Sequence, residues 1–289
     1  MNNAAFYARS IFLFLFCFVI TATLTFSQNE DPTDDRSEKS IIHREVKNLK
    51  NLEGADLTRQ LEKIMSSPLI EEEDYLSSHP LFEELFVIND HLQEAFVDLL
   101  DSPSKEIRHM AWGTYLQLTD SQSIDILIEK HNEWFPGQRP FWLCFHLGNP
   151  KTEKQWELLE ACAQKWGLGG AAIALAATPG QRSHNILKNL KTNNDVFTEF
   201  DKACKEGLRI YQENPLGIVY SEDLDKSIKI VLPIIFNNVD DIHWRVVYDR
   251  LDQKAFVILQ EVNEFYRAIF YKEYGKWVLK AFWYKGAFH

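Results

Sequence analysis

The residue types best suited to hold a ligand gather near the C-terminal end: Trp244, Arg245, Tyr248, Tyr266, Arg267 and Trp283, with Tyr271 among them. Aromatic faces beside guanidinium groups suit carbohydrate, peptide or anionic ligands, because rings stack on apolar surfaces and attract cations. The same composition also describes a well-packed sheet whose Arg and Lys side chains reach out along it to water. His243 lies near Asp240, Asp241 and Asp249, and a histidine beside a carboxylate can carry out acid–base chemistry. A strand-entry loop of that composition is ordinarily just polar. The chain lacks the nucleophile elbow G-x-S-x-G, the phosphate loop G-x-x-x-x-G-K-S/T and the zinc helix motif H-E-x-x-H. No catalytic residue is assigned.

Metal and cofactor patterns are equally sparse. Cys144, His146, Cys162 and His184 are metal-ligating types, but structural zinc sites pair ligands two to four residues apart, and these are too close or too scattered. The acidic run Glu71–Asp74 lacks the alternating ligands and glycine of a calcium loop. Gly167, Gly169 and Gly170 superficially resemble a dinucleotide loop. That loop needs a preceding strand, whereas a helical pattern ending at Trp166 comes before it, so close helix packing is expected instead. Neither a metal nor a cofactor is expected. Past residue 27 the cysteines are Cys144, Cys162 and Cys204. An odd number permits at most one internal disulfide, and all three are expected to act as small buried apolar groups.

The segment carrying the aromatic candidates is rich in β-branched and aromatic residues, the composition of strands. Strands are expected near 228–236, 243–251, 254–262, 264–273 and 276–285, with tight turns at Asp252-Gln253, Asn263-Glu264 and Tyr274-Gly275. Connections this short require antiparallel neighbours. In the last strand, strict alternation places Trp277, Leu279, Ala281 and Trp283 on one face and Val278, Lys280, Phe282 and Tyr284 on the other. Both faces are apolar enough to need cover, with helix 194–211 one source. The segment 255–271 also fits a helical period. The closing run YKEYGKWVLKAFWY (271–284) resembles the terminal hairpin of nuclear transport factor-like domains. That resemblance implies a sheet enclosing a small cavity, which in some members is an active site.

Upstream, the pattern is helical. Ile42, Val46, Leu49, Leu57, Leu61 and Ile64 recur at helical spacing until Ser66-Ser67-Pro68. Between 77 and 191, breakers at Asn89-Asp90, Asp120-Ser121, Asn149-Pro150 and Pro179-Gly180 recur about every 30 residues, as stacked supersecondary units do. A second series falls at Asp101-Ser102-Pro103, Pro136-Gly137 and Gly167–Gly170. The stretch LLDSPSKEIRHMAWGTYLQLTDSQSIDILIEKH (99–131) resembles a HEAT-type repeat, which implies a scaffold or binding surface and no catalytic residue. Gly169–Ala177 departs from that pattern, being short and built of small residues. The expected fold class is α+β: an N-terminal α-helical repeat stack over 41–211, then an antiparallel strand-rich unit over 212–289.

Residues 1–27 read as a secretory signal, with Arg9 ahead of the apolar run Ile11–Phe26 and small polar residues after it. Sixteen apolar residues fall short of the roughly 20 that span a bilayer comfortably. Cleavage after Ser27 is therefore expected, with no transmembrane span in the mature chain. Retention of the run as an anchor is the alternative. Residues 28–40 (QNEDPTDDRSEKS) have nothing to bury and read as a leader. The chain past the signal has no Asn-x-Ser/Thr sequon, which points to a bacterial envelope, periplasmic or secreted protein. Formal charge is −11 and uneven: residues 28–110 hold 20 acidic against 9 basic side chains, whereas 226–289 hold 7 against 10. An acidic body disfavours nucleic acid. The basic tail either attracts an anion or offsets the acidic body within the fold. Together these features predict an exported, non-enzymatic binding or assembly protein that holds a protein partner. The alternatives are a small-ligand or carbohydrate binding module and an enzyme with its site in a cavity of the C-terminal sheet.

Overall fold

The structure is a computed structural model and describes residues 38–67, 81–118, 123–190, 198–261 and 264–287. The expected signal peptide, most of the leader, the Glu71–Asp74 run and the Asp120-Ser121 breaker lie outside the described residues. Among the described residues, twelve helices precede a four-stranded antiparallel sheet, an α+β arrangement.

The helices are α1 Glu38–Leu49, α2 Gly54–Met65, α3 Leu81–Val87, α4 Asn89–Leu99, α5 Lys105–Leu118 and α6 Ile124–Trp134. They continue with the short α7 Phe141–Cys144, then α8 Glu153–Gln164, α9 Gly169–Ala177, α10 Gln181–Asn189, α11 Thr198–Glu213 and α12 Leu224–Ile235. Those in the first half follow the apolar spacing directly: α2, for example, buries Leu57, Leu61, Ile64 and Met65. Asn89-Asp90, expected as a breaker, instead opens α4, and the interruption falls at Ile88.

The small-residue stretch that fitted a repeat poorly is the most enclosed helix. From Gly170 to Ala177 every residue of α9 is buried, as expected for a helix apolar on all sides. It packs against α8, α10, α11, α12 and the last strand. Small side chains permit this crowding. A Cβ on Gly170 would lie 2.3 Å from a Phe145 ring carbon, and one on Gly207 of α11 would lie 2.8 Å from the Ala176 Cβ. The expected close packing at Gly167–Gly170 is therefore found.

Residues 228–236 form most of α12, not the expected strand. The β-branched run IKIVLPII misleads on composition, but Asp223 caps the segment by accepting from the Lys226 amide. Leu224, Ile228, Val231 and Leu232 then recur on one buried face. Pro233 sits in the final turn, just before the chain leaves the helix. The other four expected strands are present as β1 Ile242–Tyr248, β2 Lys254–Glu261, β3 Glu264–Glu273 and β4 Lys276–Ala287, paired as neighbours in that order. The described residues of the segment 255–271, which also fits a helical period, all lie in β2 and β3.

The register decides which side chains share a face. Trp244 pairs with Leu259, Leu259 with Tyr266, and Tyr248 with Ala255. On β4 the register shifts between Ile269 and Phe270, where Ile269 faces Ala281 but Phe270 faces Leu279. Lys280 is thus the extra residue of a bulge, and strict alternation fails there. Trp277, Leu279 and Phe282 face one side; Val278, Ala281 and Trp283 face the other. The grouping of Trp277 with Trp283 on one face is corrected accordingly.

Both faces of the sheet are covered. On one, Phe236 at the end of α12 meets Tyr266 and Phe282 edge-on, at 4.8 and 6.3 Å between ring centroids. On the other, Phe82 and Phe86 of α3 pack on Phe256 at 5.1 and 5.5 Å. Helices and sheet contribute to one continuous buried core. The outer edge of β4 is closed by the segment after α7, where Phe282 N–H donates to Phe145 O and Gly148 N–H donates to Lys280 O.

Candidate functional site

The six aromatic and cationic candidates fall on both faces of the sheet. Trp244, Tyr248 and Tyr266 point to the α12 side. Trp244 Nε1 donates to Asp225 Oδ1 at 3.2 Å, with Lys229 Nζ 5.9 Å from its ring centre. Tyr248 is 42 % exposed and its ring lies 5.8 Å from that of Trp277. Burial, then the nearby Asp225, Asp252 and Asp223 carboxylates, raise the Tyr248 phenol above its ordinary range. Tyr266 stacks on Phe282 and donates to Glu264.

Arg245, Arg267 and Trp283 point to the α3 side, as does Tyr271. Arg245 makes a two-pronged pair with Glu83, which holds its guanidinium charged. Arg267 is buried between Phe82 and Phe256, 5.9 and 5.4 Å from their ring centres. Burial pushes its basicity down to about 10, with Glu83 opposing the shift and Arg245 adding to it. Trp283 is buried, 5.0 Å from the His146 ring and 6.3 Å from Phe256. Lys254 Nζ lies 5.4 Å from the Tyr271 ring centre and donates to Asn89 Oδ1.

Asp249 is set apart from the other carboxylates grouped with His243. Asp241 accepts from Asn238 at the start of β1, and Asp249 lies past its far end. The seven residues of β1 lie between those two and hold them roughly 25 Å apart. Asp249 is buried and closes the β1–β2 turn by accepting from the amides of Gln253 and Lys254, at 2.8 and 3.0 Å. Cys144 and Cys162 form a disulfide, with Cα atoms 6.1 Å apart. The expectation of three unpaired buried cysteines therefore holds only for Cys204, whose thiol burial pushes up to about 12. Among the described residues no group of histidine, cysteine, aspartate or glutamate is arranged to hold a metal ion. No described helix is long and apolar enough to cross a membrane.

The hollows are modest. An open surface dip of about 460 Å³ is lined by Arg44, Glu45, Lys47, Asn48, Lys50 and Asn51. The space between α9 and β4, lined by Phe145, Gly148, Gly170, Ile173 and Ala281, is too tight for a water molecule.

A different feature was missed by sequence reasoning. In an antiparallel meander the β1–β2 and β3–β4 turns lie at the same end of the sheet. Backbone bonds tie them into one rim: Lys272 N–H donates to Gln253 O, Trp277 N–H to Ser221 O, and Arg250 N–H to Val87 O. Of the seven large apolar side chains exposed among the described residues, six belong to this rim and its adjoining α11–α12 loop. They are Leu216 (75 % exposed), Val219 and Leu251 (55 % each), Tyr248, Val87 and the fully exposed Tyr274. Tyr274 and Gly275 both have positive φ, 50° and 80°. A two-residue hairpin turn of this kind suits Asn-Gly, where the side chain tolerates left-handed backbone. A tyrosine there is strained and buries nothing. The Tyr-Gly pair between two strands is the available signal, and by itself it reads only as a turn. Comparison of the chain with protein-family models, with curated proteins and with solved structures gave no significant match in any of the three.

Proposed function

We propose that this is a non-enzymatic binding protein, exported from the cytoplasm, that holds a protein partner against the apolar rim at the turn end of its sheet. The observation that carries the reading is Tyr274: a bulky ring in left-handed backbone, fully exposed, on a rim that with its adjoining loop carries six of the seven large apolar side chains exposed among the described residues. Strain without an internal contact to compensate for it is characteristic of residues kept for an external one. An apolar cluster rimmed by charged side chains such as Lys272, Lys276 and Asp252 is the ordinary composition of a protein contact. The export part of the reading draws support from the Cys144–Cys162 disulfide, since such bonds persist mainly in oxidising compartments.

The test places a photo-crosslinking amino acid at Tyr274 and, separately, at Lys50, which is exposed on the turn after α1. In the native host, position 274 should yield a discrete protein adduct and position 50 none. Tyr274→Asn in the crosslinking background of Leu251 should lose that adduct while the protein stays folded. Equal adducts at both sites, or an adduct at Leu251 indifferent to Tyr274→Asn, would overturn the reading.

A further inference from the structure

The two edges of the sheet are finished differently. The edge of β4 is covered by the Phe145–Gly148 segment. At β1 no described residue bonds to the outward side of Trp244–Tyr248. The hydrogen-bond phase identifies which groups are left over. Asp249 N–H donates to Lys254 O at 3.0 Å, so residues alternating from Asp249 (Val247, Arg245, His243) turn their peptide groups inward to β2. Trp244, Val246 and Tyr248 turn theirs outward. Edge strands are usually blunted by proline, a bulge or a charge set against pairing. β1 has no proline and an unbroken seven-residue register with β2. Its one cationic side chain, Arg245, is drawn aside by Glu83 of α3.

We infer that β1 is a self-association edge: two copies pair antiparallel about a two-fold axis through Val246, joining two four-stranded sheets into one. What points to a second copy is self-complementarity. The outward residues read aromatic–valine–aromatic. A two-fold axis at Val246 sets Trp244 opposite Tyr248 of the second copy, twice, and valine opposite valine. Aromatic and β-branched cross-strand pairs of this kind favour pairing. On the other face Arg245 then stands opposite Val247 of the second copy, whereas an axis through Arg245 would set two guanidinium groups against each other. Each outward residue exchanges an N–H and a C=O with its opposite number, giving about six new bonds.

The test is the mass of the mature protein by light scattering and sedimentation from micromolar to submillimolar concentration. A dimer is expected. Val246→Pro removes an outward N–H while leaving the β1–β2 ladder intact, and should give a monomer that melts where the parent does. A second measurement needs no variant: the amides of Trp244, Val246 and Tyr248 should exchange at least about tenfold more slowly in concentrated than in dilute solution. Tyr274→Asn should leave the dimer unchanged, which separates this edge from the apolar rim. A monomer at every concentration, a dimer in which those three amides stay unprotected, or a folded Val246→Pro variant that dimerises like the parent would each overturn the inference.

Discussion

His146 shows how burial alone sets a residue's chemistry. Its Nδ1 lies 3.0 Å from the Trp142 carbonyl and carries the proton, so Nε2 is left as an acceptor without a partner. Burial pushes the imidazole down to about 4, with the Trp142 bond opposing and the charge of Lys280 adding. Because the unfolded chain protonates near 6.5, it binds more protons than the folded one between these values. Stability is therefore full above about pH 6.5 and falls as pH drops toward 4, by at most about 3 kcal/mol. Denaturant titrations across that window should show the fall, and His146→Gln should flatten it. Burial also lowers His109 and His131, so a residual slope belongs to them. Tyr274→Asn should act in the opposite sense on stability, gaining about 0.5–1 kcal/mol by relieving the left-handed tyrosine. A thermal melt that rises while crosslinking is lost would mark a residue held for binding. Gly148 has the reverse logic: a Cβ there would lie 2.7 Å from the Leu279 and Lys280 carbonyl oxygens. Gly148→Ala should lose about 1–3 kcal/mol in denaturant titration by forcing that segment off β4.

At the scale of elements, the disulfide explains how so short a helix as α7 holds its place. Cys144 at its end is tied to Cys162 of α8, eighteen residues on, and the next residue, Phe145, begins the cover over the β4 edge. Closing a loop of that length contributes about 3 kcal/mol by restricting the unfolded chain. The Cys144→Ala/Cys162→Ala variant should lose that amount, and its Phe282 amide should exchange faster than amides between β2 and β3. Thiol titration under denaturing, non-reducing conditions should count Cys204 alone if the signal segment 1–27 is removed, and Cys17 as well if it is retained. The pairing itself was not legible, because spacing could say only that one bond was possible. The four strands of the sheet were legible from composition and tight turns. The α12 segment was not, since its Ile and Val residues serve a helix face as readily as a strand, and only the Asp223 cap told them apart. One bulged residue, Lys280, then sufficed to send Trp277 and Trp283 to opposite faces. Ordinary alternation already separates Trp244 from Arg245 and Tyr266 from Arg267, and the bulge adds Trp283 to the arginine side, so the six candidates divide between two helix-covered surfaces.

For the molecule as a whole, the uneven charge read from the sequence has a structural counterpart. Acidic residues of α3 and α4 meet cations of the sheet, with Glu83 on Arg245 and Asp90 on Arg250, while Lys151 reaches from the helical part to Glu273. Such half-exposed pairs contribute at most about 1 kcal/mol each, so they orient the layers more than they hold them. The holding is apolar. Phe82 and Phe86 enclose Phe256, and Tyr220 reaches across to donate to Ala177 O of the central helix. A boundary at 211/212, which the change in composition suggests, would cut through this packing and strand α9 without its cover from α12 and β4. The chain should consequently unfold as one cooperative unit. Far-ultraviolet circular dichroism, which follows the helices, and exchange of the β2–β3 amides should give coincident denaturant midpoints. Separately expressed 41–211 and 212–289 should each remain unfolded or aggregate, because each exposes an apolar face too large for water. Phe82→Ala, which empties the contact between the two parts, should move both probes together by about 3–5 kcal/mol. Two resolved transitions, or a folded 212–289 fragment, would mean that the sheet carries a core of its own.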